Sequence, residues 1–134
     1  MRTLLFVIIL SFNLLSVNYS QTVIEVPAAS ETPVSFVKLK SNSYYVTNHS
    51  IYRLEKSKLT SVYHTDEVLV SACADEKNIY WATTKNIYKT IDFISTQVVK
   101  TPIIKSSILQ VKTDEKKLKL WLLTLDDGMF VKTE

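Results

Sequence analysis

The stretch Ile79–Thr90, IYWATTKNIYKT, has a near-copy at Tyr44–Leu54, YYVTNHSIYRL. Setting Trp81 over Tyr45 also sets Thr83 over Thr47, Ile87 over Ile51, Tyr88 over Tyr52 and Lys89 over Arg53, at a constant spacing of 36 with no gap. A third version closes the chain, LKLWLLTLDDGMFVKTE from Leu118 to Glu134. There Trp121 falls 40 residues after Trp81. Asp126-Asp127-Gly128 then lengthens the turn by two, so that Met129 and Phe130 fall 42 after Ile87 and Tyr88. Each copy reads as a strand, a polar turn, a strand with an aromatic and a Thr, a tight turn, and an apolar-aromatic strand. Repetition at a period near 40 residues marks a stacked architecture built from one supersecondary unit.

Around these copies the chain is made of short runs rich in Val, Ile, Tyr, Thr and Phe, separated by Asn, Asp, Ser and Lys clusters, with no sustained helical spacing. Strands are expected at 34–40, 43–47, 50–55, 58–63, 68–74, 78–84, 86–90, 96–100, 106–113, 118–125 and 128–133. Gly128 is the single glycine, so Asn and Asp are expected to supply the left-handed turn conformations. Residues 21–33, with Pro27 and Pro33, read as an extended lead-in.

Four short antiparallel strands in about 40 residues are the size of one propeller blade. A sheet this small must bury a face against its neighbour, and each buried large side chain is worth about 1.5–3 kcal/mol. The expected fold is therefore all-β: antiparallel four-stranded blades forming a partial β-propeller of about 2.5 blades, with repeats at about 34–67, 68–105 and 106–134. Tyr45, Ile51, Tyr52, Trp81, Ile87, Tyr88, Trp121, Met129 and Phe130 are its expected inter-blade core. A closed ring takes typically four to eight blades, so the chain is expected to be the first part of a longer product. A ring closed by several copies is the alternative.

Residues 1–20 are a different kind of text. Arg2, an apolar run from Leu4 to Leu15 broken at Ser11 and Asn13, and a small residue at Ser20 describe a secretory signal peptide, cleaved after Ser20. The run is short for a membrane span of roughly 20 apolar residues, so membrane association is expected through an uncleaved signal or a downstream segment. Removing it leaves 15 basic and 13 acidic side chains, a net charge of +2. That mixed balance offers no electrostatic footprint for nucleic acid. Cys73 is the single cysteine. Without an intrachain disulfide, stability has to come from packing, and Cys73 between apolar neighbours reads as a small core residue.

The segment IYKTIDFISTQ resembles the repeat of Asp-box propellers, the group that includes sortilin-type sorting receptors, exo-sialidases and photosystem assembly factors. Thr90, Asp92 and Thr96 match its Ser/Thr-x-Asp-x-Gly-x-Thr pattern. Ile94 replaces the Gly, Val98 stands where Trp or Phe is usual, and the first copy has Lys56 at the Asp position. LWLLTLDDGMFVKTE, with Trp121, Thr124 and Gly128, is similar to blades of the periplasmic sensor propellers that precede hybrid two-component kinases in bacteria. Both resemblances span Val34–Glu134. They imply a propeller and disagree on its family.

Catalytic constellations are absent from the pattern. A sialidase clamps its substrate carboxylate with clustered arginines, and beyond Arg2 the chain carries Arg53 alone. Cys73, His64, Asp66 and Glu67 match no metal-ligand spacing, and the acidic pairs Asp66-Glu67, Asp75-Glu76, Asp114-Glu115 and Asp126-Asp127 all sit at turns. No cofactor or metal site is expected. Asn48-His49-Ser50 is a sequon, placing an N-glycan at Asn48 on an exposed turn if the protein is eukaryotic. Tyr44, Tyr63 and Tyr80 are read as packing between blades, with a recognition surface as the alternative. The expected role is an exported, non-catalytic module, the N-terminal part of a receptor or sensor ectodomain, that binds a protein, peptide or small molecule. Alternatives are the start of a propeller enzyme with its catalytic residues elsewhere, and a short secreted structural protein that self-associates through exposed blade faces.

Overall fold

A computed structural model describes residues 30–114, 116 and 119–133. The expected signal peptide and most of the lead-in lie outside them. The described chain is all-β, with no helix and eleven strands. These are β1 (Pro33–Leu39), β2 (Asn42–Thr47), β3 (Ser50–Glu55), β4 (Lys58–His64), β5 (Leu69–Ala74), β6 (Ile79–Thr83), β7 (Ile87–Thr90), β8 (Gln97–Val98), β9 (Ile108–Thr113), β10 (Lys119–Thr124) and β11 (Met129–Thr133). They form three separate antiparallel sheets in simple sequential order: β1-β2-β3-β4, β5-β6-β7-β8 and β9-β10-β11.

The sheets lie face on face around two apolar layers. Val37, Leu39, Tyr44, Val46 and Ile51 of the first sheet meet Leu69, Ile79 and Trp81 of the second. Tyr80, Ala82 and Ile87 of the second meet Ile108, Val111, Leu120 and Leu122 of the third. Strand β6 is buried at all five positions because both its faces are covered, whereas β10 alternates between buried and accessible. That contrast is the period-two signature of a sheet covered on one side.

One repeating device is written into all three sheets. The first and second strands of each pair through a bulge, which leaves Val34, Val70 and Leu109 as the extra residues. Opposite each bulge stands a buried threonine: Thr47, Thr83 and Thr124. Its Oγ1 works inside the following turn, accepting from Ser50 N–H at 3.0 Å and from Asn86 N–H at 3.1 Å, and donating to Gly128 C=O at 2.8 Å. The sheets are also joined by backbone. Leu69 N–H donates to Asn48 C=O and Ile108 N–H to Thr84 C=O, both at 2.8 Å. The opening strands β1, β5 and β9 lie side by side. Ser71 Oγ exchanges hydrogen bonds with the carbonyl and amide of Val111, at 3.1 and 3.2 Å.

The repeat register differs from the expected one in the third copy. Trp81 pairs with Tyr88 as Tyr45 pairs with Tyr52. In the third sheet Leu122 pairs with Phe130, so Leu122 holds the place of Trp81, and the spacing in β10 is 41 rather than 40. A one-residue slip turns a strand's side chains to the opposite face. Trp121 therefore points away from the second sheet, half-buried, beside Leu123 and Met129. Met129 is 63% exposed, a correction to its expected place in the core. Ile51, Trp81 and Ile87 are buried in the layers between sheets, with Tyr88 and Phe130 half-buried against them. Tyr45 and Tyr52 pair on the outer side of the first sheet, away from the second, a correction to their expected place between blades.

Turn chemistry also departs from expectation. The non-glycine residues with left-handed backbone are Lys40 (φ 54°), Lys56 (φ 56°) and Phe93 (φ 62°), joined by Gly128 (φ 86°). The turn aspartates act through their side chains instead, accepting backbone N–H groups. Asp75 Oδ1 takes the amides of Lys77 and Asn78, both at 2.6 Å. Asp127 Oδ2 takes those of Lys105 and Ser106, at 2.9 and 2.8 Å.

Candidate functional site

Four places in the structure gather chemistry-bearing residues. The first is a carboxylate cluster that the sequence reading missed. Glu31 reaches the first sheet, where its Oε2 accepts from Thr47 Oγ1 (2.6 Å) and Tyr52 OH (3.1 Å) and its Oε1 from Ser50 Oγ (2.8 Å). Ser50 Oγ also lies 3.0 Å from His64 Nδ1. Ser, His and Glu invite comparison with a hydrolytic triad, but the bonding order is wrong. Ser50 stands between the other two, and Glu31 bonds Ser50, Thr47 and Tyr52, whereas a triad has its carboxylate on the imidazole to orient it. Ser50 is also 2% exposed. The cluster is a clamp that fixes the lead-in to the sheet. No local signal announces it, because Glu31 is 19 residues from Ser50 in sequence.

The clamp and the Asp75 turn have a pH consequence. Desolvation raises the Glu31 carboxyl, but the bonds from Thr47, Ser50 and Tyr52 outweigh it and hold the group below its ordinary 4.5. Asp75 is likewise opposed by desolvation and held below 3.8 by Asn78, Lys77 and the Tyr80 hydroxyl at 2.7 Å. Depressed carboxylates stabilise the fold above their unfolded values, and that stability is lost as pH falls through the lower folded ones. Thermal stability should therefore drop on acidification below about pH 4.5. Glu31→Gln and Asp75→Asn should each flatten that limb in melting curves recorded across pH.

The second place is the turn after β7, which carries the Asp-box-like residues. Thr90 Oγ1 accepts from Phe93 N–H (2.9 Å) and donates to Ser95 C=O (2.7 Å), while Asp92 Oδ1 accepts from Ile94 N–H (2.9 Å). The left-handed residue is Phe93, one place before the expected glycine position. Its ring stacks on Trp81 at 5.6 Å and meets Tyr44 at 5.4 Å. The aromatic thus comes from inside the turn, and Val98 is exposed.

The third is a groove of about 380 Å³ across the opening strands, lined by Ser35, Phe36, Lys38, Ser71, Cys73, Gln110 and Lys112 among others. Burial pushes the Cys73 thiol up to about 12, against a lowering bond from the backbone of Thr113. At pH 8 the thiolate fraction is about one in ten thousand, and the thiolate is the nucleophile. Folded protein should label slowly with a thiol-specific reagent and rapidly once denatured; equal rates would contradict this burial.

The fourth is the open side of the third sheet. A hollow of about 430 Å³ there is lined by Gln110, Lys112, Thr113, Asp114, Trp121, Leu123 and Met129.

Other expected sites are placed differently. Asn48 is half-buried rather than exposed, its Oδ1 accepting from Thr32 N–H at 2.9 Å, and the sequon's Ser50 is buried in the clamp. Tyr44 and Tyr80 are buried and Tyr63 packs on Trp81 at 4.9 Å, so these tyrosines sit between sheets. Arg53 pairs with Glu55 at the surface. Among the described residues no three His, Cys, Asp or Glu side chains gather to hold a metal, and no helix is long and apolar enough to cross a membrane.

No protein-family model matches the sequence, and no curated protein does. Among solved structures the chain is similar to the computationally designed Ika4 protein. The two are 6% identical with a TM-score of 0.48, over 85% of this chain and 98% of that one. So loose a likeness carries neither fold family nor function.

Proposed function

We propose that the chain is the opening part of an exported β-propeller that serves as a non-catalytic recognition module, in the manner of a receptor or sensor ectodomain. The observation that carries this reading is the winding of the sheets. Each begins at an inner strand, β1, β5 or β9, these three lie together, and each sheet runs outward in sequence order. In such an arrangement the groove across the inner strands becomes part of an axial channel. Its hydroxyls, amide and lysines suit a peptide or a small polar ligand better than an apolar one. The clustered residues lack the bonding order and access that a catalytic triad requires, which favours binding over chemistry.

Two measurements test this. The secreted product should begin at Gln21 by mass spectrometry, and an intact residue 1 would count against export. The reading frame past the codon for Glu134 should hold further copies at 36–42-residue spacing. A stop codon there would remove the longer-ectodomain reading.

A further inference from the structure

We infer that the layer between the second and third sheets holds a binding site for a small planar aromatic acid, whose ring takes the place that aromatic side chains fill in the layer before. The site is distinct from the groove across the opening strands. The two layers are copies of one another, residue by residue. Ile51 of β3 pairs with Tyr63 of β4. Ile87 of β7 stands in the same relation to Val99, whose N–H donates to its carbonyl at 2.8 Å. From the facing sheets come the pairs Trp81 with Tyr88 and Leu122 with Phe130. Val99 therefore holds the place of Tyr63, and Leu122 that of Trp81.

Large rings thus give way to small side chains at two facing positions. In the first layer Tyr63 lies 4.9 Å from Trp81, which stacks on Tyr88 at 5.9 Å with 20° between the planes. In the second layer a pocket of about 200 Å³ opens at this place, walled by Ile87, Val99, Leu120, Leu122 and Phe130. Packed interiors carry few voids larger than a water molecule, and a void costs stability in proportion to its volume. An apolar cavity of about 150 Å³ stays dry and takes up benzene, so this one has room for a ring. Phe130 stands where Tyr88 does, and it offers a guest the partner that Trp81 has in the first layer. Such ring pairs favour an aromatic guest over an alkyl one. The rim sets the charge. Lys100, from the segment after β8, and Lys132, from β11, are exposed at the mouth, and no acidic side chain lines the pocket. Lys132 pairs with Leu120 and projects to the same side of β11 as Phe130. Two ammonium groups without a carboxylate select a guest with a negative end.

Isothermal titration calorimetry of the full-length chain with indoleacetate tests the inference. We expect one saturable site with a dissociation constant of about 0.1 mM, a strength within reach of a probe this small. Val99→Tyr and Leu122→Phe fill the pocket from its two walls, and each should weaken binding by about tenfold or more, with circular dichroism showing the fold intact. Lys100→Gln and Lys132→Gln should each weaken indoleacetate about two- to fivefold, the effect of an exposed ion pair, and leave the binding of uncharged indole unchanged. Absence of saturable binding near the solubility limit of indoleacetate overturns the proposal. So does full-strength binding to a folded Val99→Tyr or Leu122→Phe variant, because the guest then sits elsewhere. Equal affinity for indole and indoleacetate overturns the assignment of an acid. Should neither filling variant fold, the double variant Lys100→Gln/Lys132→Gln decides, and its unchanged affinity for indoleacetate overturns the site. None of these outcomes bears on the groove across the opening strands, so the recognition-module reading stands or falls separately.

Discussion

Trp81→Ala should cost about 3–5 kcal/mol, a large share of the roughly 5–15 kcal/mol that a small domain holds in total. Trp81 is 0% exposed. It stacks against Tyr88 at 5.9 Å and Phe93 at 5.6 Å, and meets Tyr63 of the first sheet at 4.9 Å. Removing the indole empties the layer that holds the first two sheets together, and the neighbouring rings belong to two sheets that would have to move as bodies to refill it. Trp81→Phe should be much milder. The indole Nε1 is buried without a hydrogen-bond partner among the described residues, and an unpaired buried donor costs about 1–3 kcal/mol. Phe keeps most of the stack and removes that penalty. Urea denaturation of the two variants measures the difference, and equal losses would mean the ring contacts contribute little.

Leu122→Ala should lose about 2–5 kcal/mol, while Trp121→Ala, a larger truncation one residue away, should lose far less. Leu122 is 4% exposed in the layer between the second and third sheets, and Trp121 faces the open hollow. The ordering is opposite to what side-chain size suggests. Melting temperatures of the two variants settle the register of β10, and a greater loss for Trp121→Ala would restore the 40-residue spacing.

That register shows where sequence reading stops. All eleven strands were legible from runs of β-branched and aromatic residues between polar turns, to within one or two residues at most ends. The 36-residue copy was legible because no insertion separates Tyr45 from Trp81. In the third copy an apolar residue stands at each of 120, 121, 122 and 123, so alternation could not say which pair faces inward. The large indole drew the alignment to the wrong partner. Thr124 was the better guide, because a buried threonine opposite a bulge performs a specific hydrogen-bonding task that a tryptophan does not. The Glu31 clamp was illegible for a different reason. Its acceptor and donors are far apart in sequence, and none belongs to a motif. Turn aspartates were read correctly as turn residues and given the wrong job, since side-chain capping and left-handed backbone favour the same residue types.

The amides that Leu69 and Ile108 give to the turns behind them make each sheet's entry depend on its predecessor being in place. Loss of order should then begin at the two terminal sheets and move toward the middle one, whose strand β6 is enclosed on both sides. In hydrogen exchange, the backbone of Ile79 to Thr83 should be the last to take up deuterium, and the strands flanking it should report how far the fraying front has travelled.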